Sequence, residues 1–141
     1  MKHVAVGILI RGGLVLACRR KRTARYPLKW EFPGGKIEQG ETAREALDRE
    51  LQEELGIEVT AEKEFSQQEW VYPEGTLNPN KDGSFHVVYF LVDSFLGEPI
   101  VKAFEQIRWV TPTALLEMDI LEGNRASIEQ LIKRVQQEQT A

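Results

Sequence analysis

The order of apolar patterns along the chain predicts an α/β/α sandwich on a mixed β-sheet. Three observations carry this: two short apolar runs near the start (Val4 to Ile10 and Leu14 to Cys18), an amphipathic helical stretch from Thr42 to Leu55, and a β-branched and aromatic run from Phe85 to Phe95 with a second helical stripe after it. A chain of 141 residues suits one domain, residues 1–141, which buries about 70% of its unfolded surface in a single core.

Taken in order, the two opening runs read as a hairpin of largely buried strands turned by Arg11-Gly12-Gly13. Cys18, the single cysteine, is a small core filler there; it excludes an internal disulfide and fits a reducing, cytoplasmic setting. The first run is too short for a signal peptide and lacks a small-residue cleavage site. Arg19, Arg20, Lys21, Arg22 and Arg25 form a basic cluster of the kind that is usually a solvated loop. Arg20, nearest in character to a substrate contact, is the candidate for meeting phosphates or stacking on a base.

The helix from Thr42 to Leu55 has Ala43, Leu47, Leu51 and Leu55 on one stripe and charge over most of the rest. Thr42 with Glu45 makes a capping box, and Gly56 ends the helix in a left-handed cap. Glu58 to Tyr72 reads as a long strand, then Pro73 to Ser84 as a turn-rich loop flanked by Trp70, Tyr72 and Phe85. A loop of that length is often a functional lid, which makes Tyr72 a candidate substrate contact. His86 reads as a polar residue at the start of the strand from Phe85 to Phe95. A strand begins again at Ile107 to Val110, Pro112 opens a short helix through Met118, and Asn124 stands as N-cap to a last helix, Arg125 to Gln136, with a frayed polar tail.

The chemistry concentrates on Glu50, Glu53 and Glu54. Residues three and four apart are neighbours on a helix, so these carboxylates repel one another and call for a cation. At about 4 Å and an effective dielectric near 20 the repulsion is about 4 kcal/mol. Oxygen-only ligands suit a hard divalent ion, Mg²⁺ or Mn²⁺, and the helix has no Cys or His for a zinc site. Arg49 lies where its guanidinium reaches Glu41 and orients Glu50. Upstream, Gly34-Gly35 after Pro33 allows a tight loop and close approach to a ligand.

An acidic helix face alone is an ordinary solvated surface. Here it follows a fixed order: Gly34-Gly35, Glu41, Arg49-Glu50-Leu51, Glu53-Glu54 and Gly56-Ile57. This resembles, at every fixed position, the signature of the Nudix hydrolases, and Trp30-Glu31-Phe32-Pro33-Gly34-Gly35-Lys36 resembles their MutT-type branch, which removes pyrophosphate from nucleoside triphosphates. The resemblance implies the Nudix-type sandwich. It places the Gly34 carbonyl among the metal ligands with Glu50, Glu53 and Glu54, turns Glu31 and Lys36 toward the site, and sets Phe32 near the base. It also makes Asn124 a reader of an oxidised guanine edge, and Glu105 a further ligand or general base; Glu50 and Glu105 stand as the two candidates for that base. The loop at residues 73–84 is longer than the connection of the MutT-type branch.

The implied activity is hydrolysis of a nucleoside triphosphate to the monophosphate and pyrophosphate, with 8-oxo-dGTP the favoured substrate. A pyrimidine triphosphate, a dinucleoside polyphosphate or a nucleotide sugar is the alternative within that chemistry, and a non-catalytic nucleotide sensor the alternative outside it. A net charge of -4 supplies no basic footprint for a nucleic acid polymer, and no stretch reaches membrane-spanning length. The partner is a small nucleotide, and the expected state is a monomer or homodimer.

Overall fold

The computed structural model describes residues 1–71 and 83–140. Its elements run β1 (Lys2–Arg11), β2 (Leu14–Arg19), β3 (Trp30–Glu31), β4 (Gly34–Lys36), α1 (Ala43–Leu55), β5 (Glu58–Val71), β6 (Ser84–Leu96), β7 (Gln106–Val110), α2 (Pro112–Leu116), a 3-10 turn at Glu122–Asn124, and α3 (Arg125–Thr140). Tyr72 and the loop from Pro73 up to residue 82 lie outside the described residues.

The mixed α/β architecture is the expected one. β1 is the central strand: it pairs in parallel with β6 from Lys2↔Phe85 to Leu9↔Val92, and antiparallel with β4 from Val4↔Lys36 to Val6↔Gly34. Period-two alternation sends its side chains to opposite faces. Val6 and Ile8 join Tyr89, Leu115, Ile128 and Leu131 on one side, whereas Ala5 and Leu9 join Leu47, Leu51, Leu55 and Val92 on the other. Each buried Leu of α1 stabilises the fold by about 1.5–3 kcal/mol. The helix lies close to the sheet because β1 carries Gly7 there; a Cβ on it would come within 3.1 Å of Leu47 Cδ1. Among the described residues no helix is long and apolar enough to cross a membrane.

The opening hairpin is only partly formed. β1 and β2 are register partners at Ile10↔Val15 and Arg11↔Leu14, after which β2 departs to pair with β3 and with β7. Both strands are apolar on both faces, so each finds two sheet neighbours rather than one hairpin partner. Gly34-Gly35, expected in a tight loop, instead opens the short strand β4, and Trp30–Glu31 just before it forms β3. Nor does α3 fray after Val135; it runs to Thr140.

Candidate active site

α1 is set by its caps. The Thr42 hydroxyl accepts from the Glu45 N–H and the Glu45 carboxylate from the Thr42 N–H, while Gly56, at φ 70°, closes the other end in the left-handed region. With the start fixed, the rotation of the helix is fixed, and Glu50 and Glu54 face Gly34 and Gly35 of β4. Glu54 accepts the Gly34 N–H at 3.0 Å. A Cβ on Gly35 would overlap the Glu50 carboxyl group, and one on Gly34 would overlap the Ala5 carbonyl, so both glycines are required by close approach.

Arg49 ties the outer acids together. It donates to Glu41 at 2.7 and 3.0 Å, to Glu50 at 2.9 Å, to Glu53 at 3.4 Å and to the Lys36 carbonyl at 3.0 Å. The anticipated Arg49–Glu41–Glu50 arrangement is present. Its hydrogen bonds hold the Glu41 carboxyl down to about 2. Glu45, four residues from Arg49, serves the helix cap.

Inside that rim the charges are less well matched. Burial, reinforced by the charges of Glu50, Glu31 and Glu53, pushes Glu54 up to about 8 against the pull of the Gly34 N–H. Burial likewise pushes Glu31 up to about 7 although Arg20 donates to both its oxygens at 3.2 Å. Cys18, the register partner of Glu31, is buried and raised by the same surroundings, Glu31 and Glu54 included. Glu31, Glu50 and Glu54 therefore form a close electrostatic group, a negative pocket lacking a full complement of positive charge.

The expectation that Glu50, Glu53 and Glu54 converge is met only in part. Glu50 is 17% exposed and Glu53 60% exposed, the latter turned outward to Arg49. Among the described residues no three Asp, Glu, His or Cys side chains are gathered at metal-ligating spacing. The donor set still fits a hard divalent cation, because Glu50 and Glu54 offer only oxygen ligands beside a glycine-lined cradle.

Next to this group opens a cavity of about 340 Å³, lined in part by Glu31, Phe32, Gly34, Gly35, Lys36, Trp70, Phe85, Tyr89 and Asn124. The five candidates Arg20, Glu31, Phe32, Lys36 and Asn124 all border it. Phe32 is buried and meets Tyr89 edge-on at 6.5 Å between centroids. Asn124 does not act as the N-cap: its carbonyl accepts the Phe32 N–H at 3.1 Å and its amide donates to the Tyr89 hydroxyl at 3.1 Å. A backbone N–H can only donate, so this pairing fixes which end of the amide points where.

Two candidates are placed elsewhere or differently. Glu105 is 40% exposed, pairs with Arg22 at 3.8 Å, and neither lines the cavity nor perturbs Glu31 or Glu54. Arg20 borders the cavity, but its guanidinium is engaged by Glu31 and by the carbonyls of Arg25 and Tyr26. Arg25, Tyr26 and Tyr89 were not singled out from the sequence, and their lining position follows from loop and sheet geometry that carries no local motif.

A family model described as the NUDIX domain matches residues 1–131. The 8-oxo-dGTP diphosphatase of Escherichia coli (strain K12) is 34% identical over 130 residues, 92% of this chain and 95% of that protein. A CTP pyrophosphohydrolase of the same strain is 47% identical over 60 residues, 43% of this chain and 44% of that one. A structure of MutT, from work on the Aliivibrio salmonicida and Vibrio cholerae proteins, superposes with a TM-score of 0.77 at 28% identity, covering 94% of this chain and 98% of that one.

Proposed function

The chain belongs to the NUDIX family, and from that premise we propose that residues 1–141 act as one divalent-metal-dependent hydrolase domain converting a nucleoside triphosphate to the monophosphate and pyrophosphate. The observation that carries this is the half-buried group Glu31, Glu50 and Glu54 at the edge of a nucleotide-sized cavity. Acids left short of counter-charge beside an open cavity suit a cation arriving with a polyphosphate.

Glu50 and Glu54 with the Gly34 carbonyl, and Glu53 after a side-chain rotation, would hold Mg²⁺ or Mn²⁺. When bound, the ion neutralises phosphate charge and lowers the pKa of a coordinated water. Arg49, fixed by Glu41, orients Glu50. Of the two base candidates Glu50 is favoured, since Glu105 is paired with Arg22 away from the acidic group. Phe32 and Asn124 face the base, and Lys36 meets phosphate at the cavity rim.

The favoured substrate is an oxidised purine triphosphate such as 8-oxo-dGTP, supported by the likeness over nearly the whole chain to an 8-oxo-dGTP diphosphatase. A pyrimidine triphosphate is the second reading, favoured by the higher but shorter likeness to a CTP pyrophosphohydrolase. A panel of nucleotides assayed with and without Mg²⁺ or Mn²⁺, scoring pyrophosphate against orthophosphate, tests both. Tight nucleotide binding with no metal-dependent turnover would replace the enzyme with a sensor.

A further inference from the structure

Between β2 and β3 the chain makes a loop with two non-glycine residues in the left-handed region, Tyr26 at φ 54° and Leu28 at φ 61°. Such a backbone costs about 1–2 kcal/mol per residue and persists only where its surroundings over-determine it. Here they do. The Arg20 guanidinium donates to the Arg25 carbonyl at 2.8 and 2.5 Å and to the Tyr26 carbonyl at 3.2 Å while anchored on Glu31. The backbone adds Arg20 N to Lys29 O at 2.8 Å and Leu28 N to Arg20 O at 3.2 Å, and the Arg19 side chain holds the Leu28 carbonyl at 3.2 Å.

What this strained backbone brings to the cavity is a pair of residues. Arg25 and Tyr26 both line it, and the Arg25 guanidinium lies over the Tyr26 ring at 5.6 Å. A guanidinium packed against a phenol is a flat, polarisable wall of the kind on which nucleobases stack. We propose that Tyr26, backed by Arg25 and held by the Arg20 clamp, is a base-stacking residue of this enzyme. Arg20 is then a positioning residue: its charge is spent on Glu31 and two loop carbonyls, and it acts on substrate through Tyr26. This assignment rests on the nucleotide reading above.

The test compares KM for the nucleoside triphosphate that the unaltered chain turns over best with the inhibition constant of inorganic tripolyphosphate, which has no base. Tyr26→Ala raises KM by about 10- to 100-fold, the scale of one lost base–aromatic stack, with the loss in KM rather than kcat and tripolyphosphate inhibition unmoved. Tyr26→Phe recovers most of the affinity that alanine loses. Arg20→Ala raises KM in the same sense, and the double variant with Tyr26→Ala is no worse than the poorer single one. An unmoved KM in a folded Tyr26→Ala protein, or equal weakening of tripolyphosphate, overturns the assignment while leaving the hydrolase standing. Absence of nucleotide turnover by the unaltered chain overturns both.

Discussion

The two ends of the acidic face of α1 are treated differently. At the outer end Glu41 and Glu53 meet the Arg49 guanidinium, which also reaches Glu50 where the two ends join, and the protein supplies the positive charge itself. At the inner end Glu54 has a single backbone N–H and, with Glu31, sits in surroundings that favour the protonated acid. The outer acids are built to be stable in the free protein, whereas the inner ones are stable as carboxylates only with a visitor. That contrast separates structural from chemical acids on and around α1 more sharply than their spacing does.

The largest expected effect breaks the inner end. Glu54→Gln or Glu50→Gln lowers kcat by about 10²–10³-fold or more, as removal of preorganised electrostatic groups does, with far-ultraviolet circular dichroism unchanged. Glu53→Gln also lowers turnover by orders of magnitude if the outward side chain swings in on metal binding. Full Mg²⁺-dependent activity in the Glu53 variant would confine the ligands to the inner acids. Arg49→Ala loses about 10–100-fold, the usual cost of a residue that orients a metal ligand, and should show as a higher Mg²⁺ requirement in activity titrations.

Acidity sharpens the same comparison. Glu54 and Glu31 are raised in the folded state to about 8 and about 7 from 4.5, so their contribution to stability is fully present below about pH 4.5 and is lost as pH rises toward 7–8. Glu41, lowered to about 2, contributes above pH 4.5 and loses its contribution as pH falls toward 2. Between pH 5 and 8 the inner pair therefore governs. Metal-free protein should melt several degrees lower at pH 8 than at pH 6, and Mg²⁺ should raise the melting temperature more at pH 8 than at pH 6; Glu54→Gln should shrink both differences in a thermal-shift series.

The smallest effect lies on the cavity side. Tyr89→Phe removes the acceptor for the Asn124 amide and the donor to the Gly123 carbonyl, two buried bonds at 3.1 and 3.3 Å. It should cost about 1–3 kcal/mol in chemical unfolding. A parallel drop in discrimination among nucleobases, measured as a ratio of kcat/KM values, would tie that stability to recognition.

Local chemistry was readable in advance and remote pairing was not. The stripe, the capping box and Gly56 of α1 lie within fifteen residues of one another, so their spacing fixes the helix and which acids share its face. The fate of β1 depends on β6, whose partner residues stand more than eighty positions away, and nothing near Val4 or Leu14 indicates that the hairpin will open after its tip. Asn124 reads as a helix cap because its own neighbours recommend it; a backbone amide 92 residues upstream takes its carbonyl instead. Arg20 was visible as a cation near the site, but its use as a clamp depends on carbonyls exposed by a backbone conformation that neither Tyr26 nor Leu28 advertises.

The bond between Phe32 and Asn124 has a consequence for biosynthesis. It joins the floor of the cavity to a residue that leaves the ribosome long after the carboxylates of α1, so the acidic helix is made before the chamber that will use it. Until the last strand and turn dock, a nascent chain carries the acidic motif beside an unfinished cavity. Slow closure of contacts so distant in sequence makes nucleotide binding a late reporter of completed folding.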